Sequence, residues 1–321
     1  MLDYTAIFKT IFQEPEFKDR PPVLLDIGAS GEIHREWKAI APYSVCVAFD
    51  ADDREFAFTE NLQSEFRKLY VFNCIAGEED KESVDFYLTR SPFCSSLLAP
   101  DTEHLNEWHF WELFEKDRVV KLKSRSLFSV IKELKLEGVD WFKTDSQGID
   151  LRLFSNLGEA MIAKILVADF EPGIIDAYKG EDKLYQLFQF MDQRPFWMCN
   201  LEVKGAQRIS RELMETYAGQ MDKLNLSISP GWAEVSYLNT MKSPALLTKR
   251  DVLLAWVFAT IRLQHGFALE LIRKNEQLIP GVLYAQLRVY SETNIFSKKA
   301  ATLSGRIRNK ILRIMNKLMG G

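Results

Sequence analysis

Four groups of residues in this chain have types and spacings that could do chemistry together. The first is Asp26-Ile27-Gly28-Ala29-Ser30-Gly31, which places a carboxylate, two glycines and a hydroxyl at the end of the apolar run Val23 to Ile27. Glycines let backbone come close to a ligand, because they carry no side chain and accept unusual dihedrals. Asp26 could then attract the cationic amino or sulfonium region of S-adenosylmethionine, while Gly28 and Gly31 admit its methionine and ribose. Ser30 and the start of the following helix could donate hydrogen bonds to its carboxylate. Asp26 could equally cap a turn. The second group is Asp50, which closes the next apolar run, Val45 to Phe49. A carboxylate there can accept both hydroxyls of a ribose. Asp52 and Asp53 compete for that role, and a solvated loop acid is the plain alternative. Ala76 and Gly77, after a third run, could pass beside an adenine.

The third group is Lys143-Thr144-Asp145 followed by Gly148, and the fourth is Glu171, which closes a further apolar run. Lys143 and Asp145 alternate about a strand terminus, and Gly148 lets the chain turn tightly into a helix. Asp145 therefore sits where a transferable methyl would be presented, and could orient a nucleophile or accept its proton. Asp145 and Glu171 are the expected acidic pair beside the acceptor. Local capping, or an ion pair with Lys143 that only shapes the loop, are the alternatives. His34 is a third candidate base, although its place on the helix after the glycine turn is also that of an ordinary surface or core residue. No His, Cys and acid spacing suggests a metal site, so none is expected.

Positioning these groups requires a βαβ rhythm. The expected elements are an opening helix, strands at Val23–Ile27, Val45–Phe49 and Leu69–Ile75, and helices at Glu32–Ile40 and Arg54–Phe66. Exposed strands are expected at Glu82–Leu88 and Arg118–Leu122. Between them, Pro92 to Trp111 carries His104, Trp108, His109 and Trp111, and is longer than a structural connection needs. It suits a lid that stacks on a sugar, or an insertion that covers a sheet edge. A helix at Ser126–Leu136 and a strand at Val139–Lys143 follow, then a helix from Ile149 and a strand at Ile162–Phe170. A helix at Leu184–Met191 and a late antiparallel edge strand at Phe196–Val203 complete the sheet. Ile209–Lys223 and Thr248–Asn275 read as helical, separated by Ser229-Pro230-Gly231.

A nicotinamide site also combines a glycine turn with a second-strand acid, but the full GxGxxG pattern is missing here. With the glycine motif DIGASG, the acid of FDAD and the Ser95-Ser96-Leu97 segment, the chain resembles the FkbM family of S-adenosylmethionine-dependent methyltransferases. The resemblance covers about residues 22–205. It is most specific at Trp141-Phe142-Lys143-Thr144-Asp145-Ser146-Gln147-Gly148-Ile149-Asp150, and extends to Val167-Ala168-Asp169-Phe170-Glu171. Many members have Asn at Ser30, Glu or Pro-containing sequence at Asp50-Ala51-Asp52, and Ala-Glu at Ile149-Asp150. The resemblance implies an α/β class I methyltransferase (Rossmann-like) three-layer sandwich that binds S-adenosyl-L-methionine, with O-methylation of a glycan or small molecule as the commonest outcome.

The remaining expectations concern organisation. Residues 1–21 form an N-terminal helix, 22–205 the cofactor domain, 206–292 a mostly helical accessory region, and 293–321 a basic amphipathic tail. The tail has seven Lys and Arg and no acid, with Leu303, Ile307, Ile311, Ile314 and Leu318 on one helical face. It suits an anionic membrane surface, self-association or packing on its own domain. The formal charge of −4 argues against nucleic acid as a partner of the bulk surface. The four scattered cysteines read as buried thiols of a reducing, cytoplasmic compartment. The amino terminus mixes charges with no continuous apolar stretch, so it does not read as a signal peptide. Val252–Ile261, flanked by Lys249, Arg250, Asp251 and Arg262, reads as a buried helix. The expected activity is methyl transfer to an oxygen nucleophile. A nicotinamide-dependent oxidoreductase and a non-catalytic scaffold are the alternatives.

Overall fold

Pro21 and Pro22 end the amino-terminal helices and release an apolar run whose every residue is buried, as a strand covered on both faces must be. In the computed structural model, which describes residues 4–29, 34–51, 65–220, 223–243 and 246–296, this run is β1 (Val23–Ile27). The other strands are β2 (Val45–Phe49), β3 (Lys68–Phe72), β4 (Ile75–Gly77), β5 (Lys81–Thr89), β6 (Lys116–Ser126), β7 (Trp141–Thr144), β8 (Val167–Phe170), β9 (Phe196–Gln207) and β10 (Ile228–Asn239). Among the described residues, seven strands form one sheet in the order β3-β2-β1-β7-β8-β10-β9. Strands β3, β2, β1, β7 and β8 are parallel, while β10 runs antiparallel to both of its neighbours. Strands β4, β6 and β5 form a separate three-stranded sheet. The protein is therefore α/β, with a mostly parallel central sheet flanked by helices.

The period of two along β7 divides the interior. Trp141 joins one core with Phe8, Trp37, Trp256 and Phe258, while its neighbour Phe142 joins the other with Phe154, Phe170 and Leu187. The first core is roofed by both chain-end helix groups, with Phe8 edge-on to Trp256 at 6.3 Å. Helix Lys249–Ile261 is buried from Arg250 to Thr260, which explains its apolar character on every side. Among the described residues no helix is long and apolar enough to cross a membrane.

At the amino edge of the sheet, Arg250 is a clamp. Its guanidinium donates to both oxygens of Asp140, to Asp251 and to the carbonyls of Arg20 and Pro21, while Asp140 also accepts from the Val23 backbone at 2.8 Å. One ion cluster thus joins the amino-terminal helices, β1, the approach to β7 and the carboxyl-terminal helix. Removing one member of a buried pair leaves an uncompensated charge, which costs about 3–5 kcal/mol. Asp140→Ala is expected to lower unfolding free energy by about that amount in urea titration. A loss below about 1 kcal/mol would show the cluster to be no stronger than a surface pair.

The structure corrects several boundaries. The expected helix at 32–40 is, where described, two 3₁₀ turns, Arg35–Trp37 and Ala41–Tyr43, with Pro42 inside the second. Residues 54–64 of the next expected helix lie outside the described residues. The 69–75 strand divides into β3 and β4, because β4 leaves the main sheet to pair with β6. Helix Glu159–Ile162 occupies the beginning of the expected 162–170 strand, which starts only at Val167. The helical span 209–223 is reduced to Arg211–Thr216, with Gly219 in the left-handed region soon after. The 248–275 span breaks at Leu263, which has φ +58°, into helices Lys249–Ile261 and His265–Lys274. The expected boundary at 205 falls inside β9, and β10 beyond it is an integral strand of the sheet. Pro230 and Gly231, expected to separate two helical spans, mark a bulge in β10, where the Gly231 carbonyl accepts from the Ile174 and Ile175 N–H groups. Of the basic tail, residues 297–321 lie outside the described residues; 293–296 end helix Gly281–Phe296.

Candidate active site

The carboxyl ends of β1, β2 and β7, together with β4 and the loop 92–97, enclose a cleft with about 790 Å³ of empty space, part of it open to solvent. This is the edge at which open α/β sheets bind ligands. Of the residues expected to contact a cofactor, Gly28, Asp50 and Ala76 line it. Asp145 lines it as well, with Gln147 beside it.

Gly28 is required by geometry. Its φ is +75°, and a Cβ built there would lie 2.3 Å from the Asp145 carbonyl oxygen. Its N–H donates to the Phe49 carbonyl at 3.0 Å, and the Asp145 N–H donates to the Ile27 carbonyl at 3.0 Å. The ends of β1, β2 and β7 are thus laced together so closely that no Cβ fits at Gly28. Phe49, Ile75, Ala76, Phe86 and Leu97 give the cleft an apolar slot, with Asp50 at its rim.

Asp26 is placed differently from expectation. It does not line the cleft, and its carboxylate, buried, accepts from Lys143 Nζ at 2.7 Å. Directly opposed residues of adjacent strands put their side chains on one face, and Asp26 is the partner of Lys143. Burial acts against the Lys143 ammonium, but Asp26, with Asp145 and Glu171, holds its pKa above the usual lysine value. Ser30 and Gly31 lie outside the described residues.

The acceptor side is built by the turn after β7. Burial raises the Asp145 carboxyl to about 6, against the opposing pull of Lys143, and Asp150 adds to the rise. Gln147 donates from its amide to Asp145, and Gln147 itself sits at φ +56°, a conformation uncommon for a residue with a side chain. Its backbone carbonyl accepts from Ser96 Oγ at 2.7 Å, and its Oε1 lies 2.8 Å from the Tyr178 hydroxyl. Gln147 is a site residue that the sequence reading passed over; its only signal was its position directly before the turn glycine, Gly148. Asp150 accepts from Thr144, from Ser146 and from the Glu171 N–H, so it ties β7 to β8. Glu171 is raised to about 9, by burial first and then by Asp145, Asp150 and Glu234. The Asp145 charge thus bears on Glu171, which does not itself line the cleft.

His34 does not line the cleft. Its ring packs edge-on to Trp37 at 5.6 Å, and burial, then the charge of Lys143, lowers its pKa. The aromatic loop is mostly engaged in packing. Trp108 stacks on Phe110, which meets Trp232 edge-on at 6.1 Å, and Arg211 lies 4.0 Å over the Trp111 ring. Phe93 and Ser95 do reach the cleft, Phe93 as an exposed lip. The four cysteines are free thiols, and burial raises the pKa of each. Among the described residues, no group of three or more His, Cys, Asp and Glu is arranged to hold a metal ion. No protein-family model matches the chain. A search of curated proteins finds no match either.

Proposed function

We propose that the chain is a class I methyltransferase of the FkbM type, transferring methyl from S-adenosyl-L-methionine to a hydroxyl of a glycan or other small molecule. The observation that carries this reading is the meeting of Gly28, Asp50, Ala76 and Asp145 in one cleft at the carboxyl edge of a mostly parallel sheet. The residues suit the cofactor. Gly28 lines the cleft with bare backbone, Asp50 offers two oxygens to a ribose, and the slot between Phe49, Ala76 and Leu97 suits an adenine. The reversed strand β10 between β8 and β9 also favours it. Dinucleotide-binding sheets follow the order 3-2-1-4-5-6, whereas here β10 is inserted, reversed, between β8 and β9.

When bound, S-adenosylmethionine supplies an electrophilic methyl carried on a sulfonium. The chain's own part is positioning and proton management. Asp145, ionised at neutral pH, takes the proton of the attacking hydroxyl. Glu171, protonated at the same pH, donates a hydrogen bond to acceptor oxygen. Gln147 holds Asp145 in place from one side, and Lys143 stabilises its negative form.

Calorimetric titration with S-adenosylmethionine, S-adenosylhomocysteine and NADH tests this assignment. The wild-type protein is expected to bind the first two and not the third. Asp50→Ala should weaken binding about ten- to a hundredfold, the usual worth of hydrogen bonds to a charged group. Binding of NADH without binding of S-adenosylhomocysteine would replace the reading with the oxidoreductase one.

A further inference from the structure

Helix Lys249–Ile261 lies in sequence beyond the expected catalytic domain, yet its carboxyl end packs against β7 and β8, whose ends carry Asp145 and Glu171. Arg262, the residue that ends the helix, is half-buried between two carboxylates from different parts of the chain, Asp169 and Glu36. Its guanidinium binds Asp169 of β8 and lies 2.9 Å from Glu36 through Nη1. Asp169 accepts in addition from the Trp141 indole N–H at 2.7 Å, and the guanidinium sits 5.0 Å from the centre of that ring. Glu36 belongs to the Arg35–Trp37 turn, which follows directly on the glycine segment beginning at Gly28. Trp37 of the same turn is fully buried edge-on to Trp141 at 5.8 Å. Asp169 precedes Glu171 by two residues on the same strand end.

We propose that Arg262 is a positioning residue of the active site, bracing the glycine segment through Glu36 and the acceptor strand through Asp169. The inference rests on the methyltransferase reading of the cleft. It makes helix Lys249–Ile261 a supporting part of the cofactor site. The electrostatics give the brace its direction. Burial works against the Arg262 charge, but Asp169 and Glu36 outweigh it and hold the guanidinium protonated; burial also raises Glu36, against the pull of Arg262. Without the guanidinium, two half-buried acids face each other across the space it fills. Their repulsion moves the turn at residues 34–37, whose Trp37 shares one core with Ala29 beside Gly28. A brace of this kind acts on affinity through geometry, since displacement of a binding group by a fraction of an ångström is felt in the complex.

The test measures S-adenosylhomocysteine affinity by calorimetry on the full chain, with a melting temperature for each variant. Glu36→Gln leaves the Arg262 and Asp169 pair intact and decides the matter should Arg262→Gln not fold. Both variants are expected to raise Kd about tenfold. Glu14→Gln cuts an ion pair of 2.5 Å to Lys249 at the other end of the same helix, and should leave Kd unchanged. If Arg262→Gln and Glu36→Gln bind within about twofold of wild type, the brace is overturned while the methyltransferase reading stands. The brace is likewise overturned if Glu14→Gln weakens binding as much as Glu36→Gln does, because general loosening then accounts for the effect. If the wild-type protein does not bind S-adenosylhomocysteine, the reading of the cleft fails and the inference with it.

Discussion

Asp145→Asn is expected to lower kcat by about a hundredfold to ten-thousandfold, the range for loss of a positioned general base, with S-adenosylhomocysteine affinity changed less than about threefold. The carboxylate lines the cleft and burial has brought its pKa to about 6, so at neutral pH it is both ionised and basic enough to take a hydroxyl proton. The pH profile follows from the two carboxyls. Asp145 works as the anion, so the rate rises as pH passes upward through about 6. Glu171 works as the acid, so the rate falls as pH passes about 9. The two limbs belong to the interacting pair and appear as one bell. The Asn variant should lose the acid limb, since its amide does not titrate. A residual rate near that of wild type, with the acid limb intact, would remove Asp145 from the chemistry.

Gly28→Ala is expected to abolish measurable cofactor binding, a loss of more than about a hundredfold. The left-handed backbone alone costs an L-residue roughly 1–2 kcal/mol. The larger part is steric, because the new methyl would meet the Asp145 carbonyl oxygen at 2.3 Å, well inside contact distance. That oxygen belongs to backbone, so relief requires the ends of β1 and β7 to separate, which displaces the cofactor cradle and the base together. Gly138→Ala is the matched control: nothing lies within 4 Å of a Cβ built there, and both stability and affinity should be unchanged. Equal effects from the two substitutions would show that Gly28 has no special place. Stability and binding can be followed on the same samples by melting and calorimetry.

The parts of this arrangement that could be read in the sequence share one physical origin. Strands β1, β2, β7 and β8 are mostly apolar runs, interrupted by Asp26, Lys143 and Asp169, because parallel strands in the middle of a sheet are buried on both faces. Each ends in a residue that the run itself does not explain: Gly28, Asp50, Asp145 and Glu171. Strand β10 was hidden because Pro230 and Gly231, reliable turn signals in most contexts, here form a bulge within a paired strand. Asp26 misled for a different reason. A carboxylate before a glycine turn reads as a ligand group, but its register opposite Lys143 comes from strand pairing across more than a hundred residues. Arg262 read as a charge that merely flanks an apolar helix; only the packing of that helix beneath the sheet brings it to Asp169 and Glu36. Gln147 was overlooked because its amide reaches Asp145 and Tyr178 only through a left-handed backbone that its residue type does not signal.

A crystal structure of the wild-type chain grown with S-adenosylhomocysteine tests the central claim most directly. The account predicts ribose hydroxyls on Asp50, the adenine in the slot lined by Phe49, Ala76 and Leu97, the amino-acid end over Gly28, and the sulfur turned toward Asp145. Density for the ligand elsewhere, or a cleft that leaves it unbound at saturating concentration, would contradict the assignment of this site to methyl transfer.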